Sequence, residues 1–476
     1  MNLLRSIHIR EFRDYLRREN INWQDCHIGK DDIEGAFSNL NYSPESALLI
    51  CTTIQYNKED IQQSYVMVTT AGAIGGTTTP GAFEVVLRPV TRKIRLSCRG
   101  VLNRYVDDFD YFGRLIHVQH DKALTHNTLR SLLGPDAIQT SKDTLSQAED
   151  VLAFHLNLKR GEIRPKDKAF AKLTFIMFII LDTTTEIEQK VWQAVTSLTY
   201  FYAPALRGMT SFCDPFRDMI GKSNSGTKRK KATATCKFAI EIWRITLYLL
   251  FLNKECMSVP IDIFYLNNCK NLSLADSDLV NTTNIVIQGD AGTDQLAVAF
   301  YEYKTEKLIA WTKYKLPYPT NDNVDKHTYY EYLVFLLAQI LMYIIYPNTN
   351  NTEITTYQVR NDNNSAIAWS LKHMCGSKFD QYACMIISWI QIHSNILMIK
   401  PEFISGIDMG EVDAASRDKK LTNLTPDKYI HIQDEIIINQ IFNITNPFIA
   451  TDAVADQHTV YFEIHNLITQ LKHHKL

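Results

Sequence analysis

The chain has 476 residues, a net charge of −2 at pH 7, and 45% hydrophobic and 11% aromatic residues. That composition excludes a disordered chain, and at roughly 150 residues per domain the length predicts about three domains. The nine cysteines form no Cys-x-x-Cys pair, which argues against a zinc ribbon or disulfide framework and predicts an intracellular protein, cytoplasmic or nuclear, that is not secreted.

The N-terminal segment, residues 1–20, is amphipathic and charged, and it lacks the apolar centre of a signal peptide. Much further along, the longest apolar run (332–347) contains Gln339 and is shorter than the ~20 residues that a membrane span needs. This run therefore predicts a buried helix, and we expect no membrane partner.

Residues 1–165 alternate short β-like runs with helical ones. HIGKDDI and YVMVTT predict strands, and CRGVLNRYVDDFDYFGRLIHVQ predicts a hairpin whose turn contains Asp107 and Asp108. Between these segments, GAIGGTTTPGAF (72–83) predicts a loop of small residues that runs into a helix. The first region is thus predicted to combine strands and helices.

The rest of the chain divides by pattern into three parts. Residues 166–280 carry apolar residues three or four apart and predict a helical region. In 281–420, NIVIQ, LAVAFYEY and KLIAWTKYKL predict three successive strands, followed by a helix (about 329–346), a strand, a helix, a strand and a short last helix. Residues 421–476 form a C-terminal extension, and no internal repeat is present.

The pair Asp107 and Asp108 allows two interpretations. Adjacent carboxylates repel and are costly to desolvate unless a cation shares the site, so a solvated acidic turn is the simpler interpretation for this stretch alone. The alternative is a metal site at the tip of the hairpin. Phosphoryl transfer by two metal ions ~4 Å apart needs carboxylates from two strands, and Asp32 ends the upstream strand.

These segments resemble the palm of a reverse transcriptase. KDDIEGAF is similar to its first catalytic motif, GTTTPGAF to its second, and YVDDF to its Tyr-x-Asp-Asp motif. The resemblance implies that Asp32, Asp107 and Asp108 are catalytic and bind two Mg²⁺ ions, for which Mn²⁺ can substitute. It also implies an RNA template, a DNA primer and deoxynucleoside triphosphates as partners.

The same resemblance assigns roles around the nucleotide. Phe37, Gly75 and Tyr105 would contact the incoming nucleotide, with Phe37 as a steric gate against a 2′-hydroxyl; a core phenylalanine is the alternative. Lys142, in QTSKDTL, would donate a proton to the departing pyrophosphate as general acid, whereas a solvated surface lysine is the alternative.

The third region carries four acids at expected strand ends and helix starts. IQGDAG places Asp290, the long helix places Glu331 in its first turn, VRNDNNSAIAW places Asp362, and GIDMGEVDAASR places Asp413. This arrangement resembles ribonuclease H, which implies that the four bind two further Mg²⁺ ions and cut the RNA strand of an RNA–DNA hybrid. Singly, each could be a turn former, an N-cap or a first-turn charge. Asp413 is expected to be the one most easily displaced.

Two basic stretches, 87–104 and 158–172, are predicted to bind nucleic-acid phosphates, with an idle solvated face as the alternative. A third, GTKRKK, lies in a linker-like stretch. The residues expected to contact phosphates are Arg92, Lys93, Arg95, Arg99, Lys159, Arg160, Lys166 and Lys168.

Taken together, the motifs resemble the reverse transcriptase with tethered ribonuclease H of tyrosine-recombinase (DIRS-like) and related LTR-type retrotransposons. The implied fold is α+β and multi-domain: a right-hand polymerase palm with shortened fingers (1–165), a helical thumb and connection (166–280), a ribonuclease H-like α/β domain (281–420) and the extension (421–476). The oligomeric state is left open.

Several departures from this family keep alternatives open. Only 31 residues precede Asp32, so either the reading frame is truncated or the fingers lie in another polypeptide, and the usual Pro-Phe-Gly before the second motif is Ala73-Ile74-Gly75. The alternatives are a nuclease whose polymerase is disabled and a non-catalytic, nucleic-acid-binding relic or domesticated subunit. Retention of the acids favours an enzyme.

Overall fold

The structure is a computed structural model of a mixed α+β protein that forms two compact units, Met1–Glu162 and Ile163–Leu476. The finer four-part division remains a prediction. The described residues are 8–36, 51–58, 61–68, 79–151, 154–220, 229–254, 257–268, 283–317, 324–346, 354–372, 378–394, 396–432, 435–445, 466–467 and 469–470.

The first unit is built on a four-stranded antiparallel sheet. In chain order the unit contains α1 (His8–Glu19), β1 (Cys26–Asp32), β2 (Cys51–Lys58), β3 (Ile61–Val68), α2 (Thr79–Ser97), β4 (Val101–Tyr105), β5 (Asp108–Arg114), α3 (Leu115–Leu133), β6 (Thr144–Ser146), β7 (Ala148–Val151) and β8 (Phe154–Asn157), and β9 (Glu162–Pro165) lies at the boundary with the second unit. The strand order in the sheet is β4-β5-β1-β6. The predicted strands HIGKDDI and YVMVTT are confirmed as β1 and β3.

Strand alternation gives the sheet two different faces. Side chains of successive residues point to opposite faces of a strand. Phe109 and Tyr111 of β5 are fully buried in the core with residues of α2 and α3, so Asp108 and Asp110 point the other way. The predicted hairpin is confirmed, but its turn consists of Val106 and Asp107, because Asp108 already pairs with Tyr105 as the first residue of β5. Its second arm is shorter than expected, because Leu115 begins helix α3 instead of extending the strand.

The second unit begins with helices, as predicted, and ends in a mixed sheet. Its elements are α4 (Asp167–Phe175), β10 (Glu186–Glu188), α5 (Gln189–Tyr202), α6 (Asp214–Met219), β11 (Arg229–Lys231), α7 (Ala234–Leu252), β12 (Val259–Pro260), α8 (Ile261–Asn268), β13 (Ile285–Ala291), β14 (Gln295–Glu302), β15 (Leu308–Lys315), α9 (Val324–Ile345), β16 (Thr355–Asn361), α10 (Asn364–Lys372), α11 (Lys378–His393), β17 (Ile396–Phe403), α12 (Gly410–Ser416) and α13 (Glu435–Thr445). Trp192 and Trp243 anchor its helical core.

The sheet of the second unit has five strands in the order β15-β14-β13-β16-β17. Short connections make β13, β14 and β15 antiparallel, whereas helical crossovers make β16 parallel to both β13 and β17. The expected element order is confirmed with one difference: two helices, α10 and α11, lie between β16 and β17 where one was predicted. A helical apolar period continues across both, so the pattern does not show the interruption.

Helix α9 is the apolar run that predicted a buried helix. Within the described part of the chain, Thr328–Ile345 is the one stretch long and apolar enough to cross a membrane by length and composition, and 89% of it is buried inside the protein. Its polar residue, Gln339, accepts hydrogen bonds from the Tyr357 hydroxyl at 2.7 Å and from Gln391 Nε2 at 3.2 Å. A buried amide needs such partners, so α9 is a core helix of this unit.

Candidate functional site

Three acids of the first unit meet at one end of its sheet. Asp32, the last residue of β1, lies directly opposite Asp108, the first residue of β5. Residues that lie opposite each other on neighbouring antiparallel strands share a face. Asp107 occupies the turn, and its carbonyl accepts a hydrogen bond from the Ile33 amide at 3.3 Å. The pairing of β1 with β5 therefore brings the predicted carboxylates of two strands to one end of the sheet.

The turn that presents these acids is strained. Val106 adopts a positive φ of 57°, in the left-handed region that a β-branched side chain rarely occupies. Such a conformation costs roughly 1–3 kcal/mol and persists only where the surrounding pairing enforces it. Tyr105, just before the turn, is 42% exposed at the end of β4.

The electrostatics of this group favour the binding of a cation. Burial, and then repulsion by Asp32, raises the pKa of both Asp107 and Asp108. Asp32 itself is buried, and its Oδ1 has no hydrogen-bond partner among the described residues. Its Oδ2 contacts the Nζ of Lys142. A buried carboxylate oxygen left without a partner is costly, so this group has a place for a cation.

Lys142 is not a free surface lysine, although most of its side chain is exposed. The hydrogen bond to Asp32 raises the pKa of the Lys142 ammonium, with Asp107 and Asp108 adding to the effect. The two other residues expected near the nucleotide, Phe37 and Gly75, lie outside the described residues.

Three of the four predicted acids of the second unit converge. Asp290 lies in β13, Glu331 in α9 and Asp362 directly after β16, and one carboxylate oxygen from each lies within 4.8 Å of the others. Asp290 and Glu331 are only 3% and 1% exposed. The crossing of β13, β16 and α9 thus gathers acids that are far apart in sequence.

The geometry excludes one alternative explanation for each of these three acids. Asp290 pairs within the strand opposite Ala297, so it is not a turn former. Helix α9 begins at Val324, well before Glu331, which corrects the expected first-turn position. The amides of Ser365 and Ala366 donate to Asn363, so Asn363 and not Asp362 caps α10.

Asp413 does not join the group of three. Its carboxylate on α12 pairs with Arg417 at 2.6 Å and with Lys419 at 3.4 Å. Asp413 is thus paired with two basic residues of its own segment, and its expected role as a fourth metal ligand stays a prediction. It remains near enough to contribute to raising the pKa of Asp290.

Burial and mutual repulsion dominate the electrostatics around Asp290 and Glu331. Desolvation, followed by repulsion from Asp290, raises the pKa of Glu331 to about 8, and desolvation likewise raises the pKa of Asp290. Asn361 Nδ2 donates to Glu331 Oε2 at 2.9 Å, and the Ser416 hydroxyl donates to Asp290 Oδ2. Clustered acids destabilise a fold unless a cation is present, and oxygen ligands suit Mg²⁺ or Mn²⁺.

Gly289 allows α9 to approach the strand that carries Asp290. A Cβ at this position would lie 2.1 Å from Val334 Cγ1 of α9. Gly289→Ala should therefore push the helix away and lower the free energy of unfolding by about 1–3 kcal/mol, as overpacking of a core does. Thermal unfolding measures the effect, and cleavage of a hybrid should fall with it because Glu331 moves.

The matched control for this substitution is Gly410→Ala. A Cβ at Gly410 meets nothing within 4 Å, so this variant should unfold like the parent protein. Equal stability of the two variants would contradict the close approach of α9 to β13.

The structure also contains a further group of three candidate metal ligands, which was not predicted from the sequence. Asp31, His126 and Asp143 of the first unit also have ligand atoms within 4.8 Å of one another. Lys122 lies among them, with its Nζ 2.8 Å from Asp31 Oδ1 and 2.7 Å from Asp143 Oδ1. The sequence did contain a signal for this group. Side chains alternate along β1, so if Asp32 points to one face, the carboxylate of Asp31 has to point into the core, where it requires a cation.

The basic stretch 87–104 offers an exposed cationic face on and after α2. Arg92 and Lys93 are exposed and have no ion-pair partner among the described residues, and Arg99 is exposed as well. Arg95 Nε donates to the Leu102 carbonyl, and Arg104 pairs with Glu84, so those two also serve the fold.

In the stretch 158–172, the four residues expected to contact phosphates differ in environment. Lys159, Arg160 and Lys168 are exposed, whereas Lys166 is half-buried. Arg160 Nε pairs with Glu162 at 3.0 Å. Part of this charge is therefore already neutralised within the protein.

Comparison with solved structures gives distant likenesses. Two foamy viral protease-reverse transcriptase structures in complex with double-stranded DNA show 14% and 13% identity, with TM-scores of 0.38 and 0.39, and cover 79% and 80% of this chain. A third, in complex with an RNA/DNA hybrid, shows 14% identity and a TM-score of 0.36 over 86% of this chain. This chain spans 56%, 67% and 46% of those three chains, respectively.

No protein-family model matches the sequence, and no curated protein matches it significantly. With likenesses this distant, the function has to be inferred from the chain's own residues.

Proposed function

We propose that the chain is an RNA-directed DNA polymerase of a retroelement that also cleaves the RNA strand of RNA–DNA hybrids. The observation that carries the proposal is the group of buried Asp290, buried Glu331 and half-buried Asp362, whose ligand atoms lie within 4.8 Å of one another. Burial and repulsion from neighbouring acids raise the pKa of Asp290 and Glu331, and the three acids have no packing role that requires them together. A metal-dependent phosphoryl-transfer site accounts for their arrangement.

The polymerase activity is assigned to the first unit. Asp32 and Asp108 lie opposite each other on adjacent strands, and Asp107 lies in the turn beside them. The orphaned Oδ1 of Asp32 fits a cation, as do the raised pKa values of Asp107 and Asp108. These three side chains would hold the ions at this site, and Asp290, Glu331 and Asp362 would hold those of the nuclease site.

Bound at either site, Mg²⁺ or Mn²⁺ would activate the attacking oxygen and neutralise charge on the transferring phosphate. The protein's part is to fix its carboxylates. Asn361 holds Glu331, and the Ser416 hydroxyl holds Asp290. Lys142, kept protonated by Asp32, would donate its proton to the departing pyrophosphate once Asp32 has another partner.

Further assignments around the nucleotide extend this proposal. Tyr105, exposed beside the turn, would contact the incoming nucleotide. Phe37 would act as the steric gate and Gly75 as a close backbone contact, as the motif resemblance implies. The substrates are an RNA template, a DNA primer, deoxynucleoside triphosphates and the resulting hybrid.

A nuclease without polymerase activity is the second candidate. In the described part of the chain, the groups with three ligand atoms within 4.8 Å include Asp290, Glu331 and Asp362 but not the trio Asp32, Asp107 and Asp108. The acids of the nuclease site are therefore the more tightly gathered set.

Primer extension on an RNA template and cleavage of a labelled hybrid, both with the purified chain, test the proposal. Each reaction is run with Mg²⁺, with Mn²⁺ and with EDTA. Both activities are expected with either metal and neither with EDTA. Cleavage without extension would support a nuclease that has no polymerase activity. The absence of both activities would favour the non-catalytic, nucleic-acid-binding relic.

Binding of a hybrid duplex should weaken as salt rises, because phosphate contacts release counterions. Replacing both Arg92 and Lys93 by Ala should reduce the slope of log K against log salt by about 1 for each lost contact. The control is the pair Lys304→Ala and Lys307→Ala, which removes two exposed charges from the second unit. An unchanged slope for the Arg92 and Lys93 variant would place those residues on an idle solvent face.

A further inference from the structure

Lys122 is a buried lysine of α3 that bonds four oxygens of two chain segments. Its Nζ lies 2.8 Å from the Lys30 carbonyl and 2.8 Å from Asp31 Oδ1, both in β1. It also lies 2.7 Å from Asp143 Oδ1 and 3.2 Å from the Thr144 carbonyl, in the segment that leads into β6. One ammonium therefore joins β1, the strand that ends at Asp32, to a segment more than a hundred residues further along the chain.

The surroundings of Lys122 are shaped to hold it there. The side chain of Asp31 is fully buried, and its second oxygen lies 2.8 Å from Nε2 of His126, one helical turn after Lys122. A Cβ at Gly29 would lie 2.9 Å from Lys122 Cδ, so the absence of a side chain at Gly29 leaves room for the lysine stem. The Tyr111 ring lies 5.5 Å from the ammonium.

The segment that Lys122 holds is the one that carries Lys142. Asp143 follows Lys142 directly, and the Gln139 amide donates to the Asp32 carbonyl at 2.9 Å. The Lys142 side chain is 58% exposed, so little packing supports it. Its backbone anchorage therefore decides whether its Nζ reaches Asp32.

We propose that Lys122 is a positioning residue, which fixes the segment 139–146 against β1 so that Lys142 reaches the polymerase acids. The inference rests on the proposed polymerase function. Because a cation already lies between Asp31 and Asp143, the structure assigns this group to positioning rather than to a divalent metal.

The test replaces Lys122 by Met, which keeps the length of the stem and removes the charge. Hydrogen exchange of the amides in 139–146 should become about 10-fold faster or more, because local opening no longer has to break these bonds. The amides of β13 and β14 in the second unit are the control and should not change. Should Lys122→Met alone fail to fold, Lys122→Met combined with Asp31→Asn avoids leaving a buried carboxylate unpaired.

A double-mutant cycle in primer extension separates positioning from general stability. Lys122→Met should slow extension, and Lys122→Met with Lys142→Ala should be no slower than Lys142→Ala alone, since both changes remove the same contribution. Fully additive losses would overturn the positioning role, and so would unchanged exchange in 139–146. If the parent protein extends no primer, the proposed function fails, and the exchange measurement still decides whether Lys122 holds the segment.

Discussion

Glu331→Gln should abolish cleavage of an RNA–DNA hybrid and at the same time make the metal-free protein more stable. Loss of a residue that supports a metal ligand lowers metal affinity or activity roughly 10- to 100-fold, and loss of the ligand itself should lower the rate of cleavage further. The gain in stability follows from burial, which together with Asp290 raises the pKa of Glu331 from 4.5 to about 8. A buried amide carries no charge to desolvate.

The pH dependence of the same variant gives a second signature. Because the pKa of Glu331 is raised in the folded state, the folded protein holds this proton more tightly than the unfolded chain does. The contribution of this proton to the free energy of unfolding is therefore complete below pH 4.5, the ordinary pKa of a glutamate. It is lost as the pH rises to about 8. Thermal unfolding in EDTA should show this loss in the parent protein and a smaller one in Glu331→Gln.

Glu186→Gln is the matched control for these measurements, since Glu186 is exposed in β10. It should leave both cleavage and the pH dependence of unfolding as in the parent. A Glu331→Gln protein that cleaves hybrids at the parent rate, or that is less stable without metal, would make Glu331 a packing residue instead.

Asp108→Asn should abolish primer extension while leaving hybrid cleavage at the parent rate. Asp108 lies opposite Asp32, and burial and repulsion by Asp32 and Asp107 raise its pKa, so its charge needs a cation nearby. We expect the rate of extension to fall by more than about 100-fold, which exceeds the loss expected for a residue that only supports a metal ligand. Single-turnover extension with bound primer measures the chemical step.

Asp136→Asn, which changes an exposed aspartate of the same unit, is the control and should extend primers normally. Binding of the primer–template by Asp108→Asn should be unchanged, because the substitution removes no basic side chain that contacts phosphate. If Asp108→Asn extends primers near the parent rate, the simpler interpretation of Asp107 and Asp108 as a solvated acidic turn is correct.

Local patterns were enough to predict the elements that carry both sites. The pattern of β1 predicted a strand that ends at Asp32, and the turn signal predicted the hairpin that carries Asp107 and Asp108, whereas the meeting of Asp32 with Asp108 was implied by the motif resemblance. The three strand-like runs before α9 likewise predict the sheet that carries Asp290. These predictions succeeded because strand alternation and turns depend on residues close in sequence.

The parts that could not be predicted depend on contacts between distant residues. The pairing of Asp31 with Lys122 spans 91 positions, and no local pattern contains both. The ion pairs of Asp413 with Arg417 and Lys419 likewise show only once the segment is folded. The start of α9 at Val324 also escaped prediction, because its apolar period begins later than the helix.

The most direct test of two separate catalytic centres is a crossed assay of Asp32→Asn and Asp362→Asn. Each variant and the parent are assayed for primer extension and for hybrid cleavage in the same Mg²⁺ buffer, with an EDTA control. We expect the parent to perform both reactions, Asp32→Asn to retain only cleavage, and Asp362→Asn to retain only extension. A parent protein that performs neither reaction, or a single substitution that removes both, would contradict the account.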